Sequence, residues 1–350
     1  MRPRGGNKRL FALLAVAVAP LAALLSGCGG DRVYPMTTLS HKSDLANEVT
    51  WLFKEVTILD SIVLIVVIVA WLGAIFFFSS RPGDAEAPSH KHADLYLEVG
   101  WTLIPAIILL AITVPTVRAI IHTQPYDWAP GTLRVQVIAH QWWWEFHIPS
   151  MGVITADELH IPADRQIHFE LLSEDVIHSF FMPALGGKRD VVPGQANQLT
   201  LVATVPGYYY GQCAEFCGAS HANMRFRVIV DTPSDFETWV AHQNSLPVKP
   251  AEGAAAAGAK IFANAPCAIC HTIKGVSGFS KQYTYGFRGP DLTHFGSRTT
   301  LAGSILDNTP DNVALWIKNP DAVKPGANMP QLGLRGTDLN DLVAYLESLK

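Results

Sequence analysis

Residues 213–224 read CAEFCGASHANM: two cysteines four apart, a histidine four further on, a methionine three beyond that, and Glu215 between the cysteines. Two thiolates, an imidazole and a thioether form a soft donor set, which suits a copper electron-transfer centre better than a hard cation. A mononuclear blue-copper site needs one cysteine. Two thiolates bridging a pair of coppers use both Cys213 and Cys217, and each copper then wants its own histidine. The loop supplies His221, and the second candidate is His178 in SEDVIHSF, at the end of an earlier strand-like run. A Cys213–Cys217 disulfide in an oxidising compartment and a zinc site with two Cys and two His are the competing uses of these residues. Neither employs Met224.

A second group lies near the C-terminus. Cys267-Ala268-Ile269-Cys270-His271 is the C-x-x-C-H attachment signature of a c-type haem, in which the thiols add to the two vinyl groups and the adjacent imidazole takes the iron. Residues 259–350 hold one methionine, Met329, and one further histidine, His294. A thioether favours ferrous iron and raises the potential, so Met329 is the expected sixth ligand.

With these residues in view, the chain resembles subunit II of the haem–copper cytochrome c oxidases over most of residues 40–235. The stretches that carry the likeness are SEDVIH, QWWWEF, GQANQLT, PGYYYGQC and the cysteine loop. The last hundred residues resemble a small class I cytochrome c, through Gly258-x3-Phe262, the C-x-x-C-H, Gly289-Pro290-Asp291-Leu292 and Met329-Pro330. The resemblance implies a binuclear copper (CuA) centre bridged by Cys213 and Cys217 and capped by His178 and His221. Met224 is then a weak ligand, and Glu215 binds through its backbone carbonyl. It also implies that electrons enter at Trp142, and that the Glu215 carboxylate reaches a magnesium site shared with subunit I. One departure is Phe180, which stands where the family usually has an indole.

The function implied is the electron-accepting subunit of a caa-type cytochrome c oxidase. Electrons pass from a soluble or membrane cytochrome c through haem c and CuA to subunit I, where oxygen becomes water; subunit III is a further implied partner. A CuA-containing nitric oxide reductase subunit and a stand-alone membrane-anchored carrier are the alternatives. A carrier needs only one anchor, and the chain offers two.

The elements that must position these groups follow from the sequence pattern. The fold class expected is a multi-domain membrane protein: a two-helix transmembrane hairpin, an all-β cupredoxin-like sandwich and an all-α class I cytochrome c domain. Residues 1–28 have a basic start, an apolar run and small residues leading to Cys28, which reads as an export signal; Leu25-Ser26-Gly27-Cys28 resembles a bacterial lipobox, implying lipidation of Cys28. Residues 29–123 hold two apolar runs, 56–78 and 99–121, each long enough to cross a bilayer. Glu98 opens the second run. Read alone it is a carboxylate at the water interface; the resemblance places it at the mouth of a proton channel into subunit I. Residues 124–241 alternate as short strands and form the copper domain. Trp142, Trp143 and Trp144 alternate across a strand, so at least one is expected to face solvent. Residues 242–258 read as a flexible linker and 259–350 as the haem domain, closed by an amphipathic helix from Asp338 to Leu349. Export and haem attachment place both metal domains outside the bacterial inner membrane, in the periplasm.

Formal net charge is −4, against a nucleic-acid partner. The charge is unevenly spread. Residues 125–241 carry six Lys and Arg against thirteen Asp and Glu, whereas residues 259–350 carry nine against seven. This predicts that the two domains dock, with Asp175 and Asp190 bordering the docking face near Trp142.

Overall fold

Each apolar run forms one helix. Helix α1 (Asp44–Phe78) has 35 residues and α2 (Leu95–Thr123) has 29. At about 1.5 Å per residue, α1 reaches roughly 50 Å, well beyond the ~30 Å hydrocarbon core of a bilayer. The predicted span 56–78 is its C-terminal part. Apolar side chains from Ile62 to Val69 are exposed on α1, and Pro105 and Pro115 lie within α2. The two helices pack on each other. In this computed structural model the described residues are 34–78, 93–124, 130–276 and 288–350, and those from Met36 onward form one unit. The export segment and Cys28 lie outside the described residues.

The first turn of α1 is fastened to the copper domain. Val202 N donates to Asp44 Oδ1 at 2.7 Å, Ser43 bridges to Ala203, and Leu45 is buried in the sandwich core. That domain is two five-stranded sheets. One sheet, in the order β3-β2-β1-β5-β8, takes β1 (Leu133–His140), β2 (Trp143–Ile148), β3 (Val153–Ala156), β5 (Gln166–Ser173) and β8 (Asn197–Val202). The other, β4-β10-β9-β6-β7, takes β4 (Glu158–Pro162), β6 (His178–Phe181), β7 (Lys188–Val191), β9 (Gly207–Cys213) and β10 (Arg225–Asp231). Alternating residues point inward and close on Trp144, Phe146, Phe169, Phe180 and Phe226. Phe180 lies flat on Phe226 at 4.5 Å, and Gly211 must be glycine because a Cβ there would meet the Phe226 ring at 2.2 Å.

Beyond the sandwich, α3 (Pro233–Asn244) is capped by the Thr232 hydroxyl and leads by residues 245–252 to α4 (Gly253–Asn264). The stretch expected as a flexible linker is thus largely helical at both ends, and its middle is tied down. Pro247 is buried, Lys274 Nζ donates to Gln243 O at 3.3 Å, and His294 Nε2 donates to Ser245 O at 3.2 Å. Proline and alanine content suggested a tether. Gly258 instead marks the face on which α4 crosses the closing helix α8 (Gly336–Ser348), where a Cβ on it would lie 1.9 Å from Asp341 O. Phe262 meets Tyr345 beside that crossing, and Leu339, Leu342, Leu346 and Leu349 are buried, as the heptad-like spacing predicts. Between these helices come the short α5 (Cys267–Cys270), the hairpin β11 (Thr300–Leu301) with β12 (Leu306–Asp307), α6 (Pro310–Lys318) and α7 (Pro320–Val323).

Candidate metal centres and the junction between them

The strand pairing that builds the second sheet also gathers the sulfur loop. Cys213 ends β9 and Met224 precedes β10; Cys213 N donates to Met224 O at 2.9 Å, closing 214–223 as the tip of a hairpin. His178 begins β6 beside it, and Ala214 N donates to Ser179 O at 3.0 Å. The resulting distances are short and ordered. Cys213 Sγ lies 3.9 Å from His178 Nδ1 and 3.8 Å from Cys217 Sγ; Cys217 Sγ lies 3.5 Å from His221 Nδ1 and 3.8 Å from Met224 Sδ. Glu215 contributes its backbone oxygen 3.2 Å from Cys213 Sγ, while its side chain is exposed.

The donor atoms of His178, Cys213 and Cys217 all fall within 4.8 Å of one another, and all three residues are buried. A sulfur separation of 3.8 Å is far from the ~2.05 Å of a disulfide. Two sulfurs, two Nδ1 atoms, a thioether and a carbonyl are the donors two soft metal ions need, so the residues present fit the binuclear centre. The hydrogen bond between the two thiols holds Cys213 well below the usual thiol range, and the same partnership with burial pushes Cys217 up. A metal pair held here would need both thiols as thiolates.

A second layer fixes the ligands. Asp175 accepts from His178 Nε2 at 2.7 Å, which leaves Nδ1 aimed at the sulfurs. Asp175 also accepts from Gln141 N at 2.6 Å. Burial pushes the Asp175 carboxyl up, but bonds from His178, Val176 and Gln141 overcome it and hold the group below its ordinary value. Both Gln141 Nε2 (2.7 Å) and Trp142 Nε1 (2.9 Å) donate to the carbonyl of Cys217. Trp142 thus touches the copper loop through its indole.

In the haem domain, His271 Nδ1 donates to Pro290 O at 2.8 Å, which fixes the tautomer carrying its lone pair on Nε2. Burial holds this imidazole below its ordinary value, in the neutral form a metal needs. Gly289 lies so close that a Cβ would stand 2.6 Å from His271 Cε1. Cys267 and Cys270 occupy one helical turn, with no disulfide between them. Met329 packs half-buried against the domain core. His294 is buried on the linker side, with its ring 4.4 Å from His242.

The two domains meet over Trp142. A Cβ on Gly326 of the haem domain would lie 2.9 Å from the Trp142 ring, Ser220 Oγ donates to Pro325 O at 2.6 Å, and Asn328 Nδ2 donates to Gln141 O at 3.3 Å. Trp143 and Trp144 are buried, Trp143 stacked on His140 at 4.3 Å, and Trp142 is half-covered. None of the three is exposed, contrary to expectation, because Trp142 sits in the turn before β2 and the haem domain lies over it. Asp175 borders this junction, as predicted, through its bond to Gln141 N, but the carboxylates that bond across it are others. Asp175 orients His178, and Asp190 makes none of the cross-domain contacts found among the described residues. Glu158 accepts from the backbone and hydroxyl groups of Thr299 and Thr300 at 2.6–3.1 Å, and Glu145 pairs with Arg288. Sequence could have flagged Asp175, three residues before His178, as a histidine-orienting carboxylate; nothing in it marked Glu145 or Glu158. Glu98 lies exposed in the first turn of α2, with no metal-binding group gathered around it among the described residues.

Comparison with known proteins agrees domain by domain. Residues 36–119 match the family described as cytochrome c oxidase subunit II, transmembrane domain; residues 150–231 match its periplasmic domain, and residues 255–350 match cytochrome c. Three relatives are each named cytochrome c oxidase subunit 2. That of Alkalihalophilus pseudofirmus is 35% identical over 94% of this chain and 95% of its own length. That of Bacillus subtilis is 32% identical over 97% of each, and that of Bacillus sp. PS3 is 34% identical over 98% of each. With its membrane hairpin, copper-type sandwich and haem domain in one chain, this protein belongs to the cytochrome c oxidase subunit II family.

Proposed function

We propose that the chain is the electron-accepting arm of a caa-type oxidase, with Cys213, Cys217, His178, His221, Met224 and the Glu215 carbonyl holding CuA, and Cys267, Cys270, His271 and Met329 holding haem c. Bound there, the two cofactors supply successive one-electron acceptors. The protein sets their ligands, their separation and their surroundings. Trp142 contributes a π-system between the haem-domain loop at 325–328, against which it packs at Gly326, and the Cys217 carbonyl, to which its indole is hydrogen-bonded. The observation that carries this reading is that one residue, Trp142, touches both the haem domain and the copper loop.

Membership of the family supports the rest of the reading. A soluble or membrane cytochrome c reduces haem c; subunit I receives the electron from copper, with subunit III beside it, in a bacterial inner membrane with both metal domains in the periplasm. The exposed Glu215 carboxylate is free to face subunit I and share a magnesium ion, and Glu98 marks the mouth of its proton path. The export signal ends at Cys28, the lipidated residue. The domains divide at about 124, 241 and 259.

The test is rapid mixing of the purified oxidase complex with reduced cytochrome c. Haem c absorbance should change first and copper absorbance second, with oxygen consumed. Copper reduced at full rate in a variant lacking haem c would contradict the order.

A further inference from the structure

We infer that Lys324, carried by the haem domain, is a positioning residue of the copper centre in the neighbouring domain: its ammonium clamps the Gln141–Trp142 turn that holds the Cys217 carbonyl and raises the copper potential. This rests on the copper reading above. Lys324 is 4% exposed. Its Nζ donates to the backbone oxygen of Trp142 and, at 2.9 Å, to Ala302 O. It reaches these by passing Gly303, where a Cβ would lie 2.3 Å from Nζ and 2.9 Å from Asn223 O of the copper loop. Only glycine leaves that path open, and Gly303 also has φ +79.

Burying an ammonium is costly unless it is paired. Lys324 forms no ion pair within 4.0 Å among the described residues; two carbonyls take its hydrogens instead. Its charge is therefore not cancelled at contact. Burial lowers its pKa to about 8, with the charge of Asp157 acting to raise it, so it stays protonated at neutral pH, and its charge lies at the backbone oxygen of Trp142, whose indole holds the Cys217 carbonyl. A positive charge there favours the electron-rich state of the centre. The same loop adds Asn328 on Gln141 O and Gly326 on the Trp142 ring, so the haem domain supplies an outer shell that the copper domain lacks alone.

The test uses the full chain loaded with both cofactors, titrated spectroelectrochemically, with haem c as internal reference. Lys324→Met keeps the length and removes the charge. The copper potential should fall, so that the haem-to-copper equilibrium constant drops about tenfold, the order expected for losing one charge-assisted contact. Glu158→Gln, which loosens the hold on Thr299 and Thr300 without altering charge at Trp142, should leave the copper potential in place. An unchanged potential in Lys324→Met, or an equal fall in Glu158→Gln, would overturn the inference. Copper content and the resonance signal of the unaltered chain are read first: a chain without two coppers sinks the copper reading itself and this inference with it.

Discussion

The two redox regions differ in what holds their ligands together. In the copper domain, two five-stranded sheets close on five aromatic rings, and a single hairpin tip with one neighbouring strand brings sulfur and imidazole donors within 3.5–3.9 Å. The residues proposed to hold haem sit instead on and just after a four-residue helix, Cys267–Cys270 followed by His271, and on a loop at Met329, around a smaller core. Rigid ligands suit a centre that must change oxidation state with little rearrangement. A haem, by contrast, is itself a large apolar body, and its domain can leave part of the packing to it. Site and scaffold should therefore be separable in the copper domain and inseparable in the haem domain.

Changes at the haem should give the largest effects. Met329→Ala is expected to abolish the low-spin haem spectrum and lower the haem potential while leaving the haem covalently attached. His294→Ala should do neither, since its ring is committed to Ser245 and His242. Low-spin character lost in the histidine variant and kept in the methionine variant would reassign the ligand. In the copper domain, Phe180→Ala removes a fully buried ring stacked on Phe226 and should cost about 3–5 kcal/mol, a fall of about 10–20 °C in the Tm of that domain. The haem absorption spectrum should not move, and a shift in it would show the two cores to be coupled.

A smaller and more local effect is expected from Asp175→Asn. The fold stays, but His178 loses the carboxylate that orients it, so copper affinity should drop about 10–100-fold in a competition titration. Unaltered affinity would return Asp175 to the role of a surface charge. The smallest effect is confined to acid. Burial pushes Glu145 up, but bonds from His140 and His147 and the charge of Arg288 win and hold it at about 2, below the ordinary 4.5. A carboxyl depressed by folding contributes its full stability above the ordinary value and loses it as pH falls toward 2. Arg288 belongs to the haem domain, so the junction should loosen between about pH 4.5 and 2, and Glu145→Gln should flatten that response in hydrogen exchange.

Much of this was legible because the chemistry is local. Cys213 to Met224 and Cys267 to His271 are short runs whose spacing already encodes donor geometry, and Leu339, Leu342, Leu346 and Leu349 carry a helical period. What escaped was set by tertiary contact. The docking face is expected near Trp142 and lies there, yet the residue that meets the indole, Gly326, lies far along the chain and nothing in the sequence marks it. Lys324 looks like any other lysine until the fold buries it. Asp175 and Asp190 read as docking charges because net charge is blind to direction; the carboxylates that cross the junction, Glu145 and Glu158, lie in strands where alternation marks only which side is buried. The linker misled for a similar reason, since an alanine-rich run reads as spacer until a facing helix is known.

The central claim is that the hairpin tip and His178 hold two coppers rather than one. Electron paramagnetic resonance of the full chain, loaded with copper and poised with one unpaired electron at the site, tests it most directly. The account predicts hyperfine coupling to two copper nuclei, with two coppers per chain by elemental analysis. A fully loaded sample whose signal comes from a single copper nucleus would contradict it.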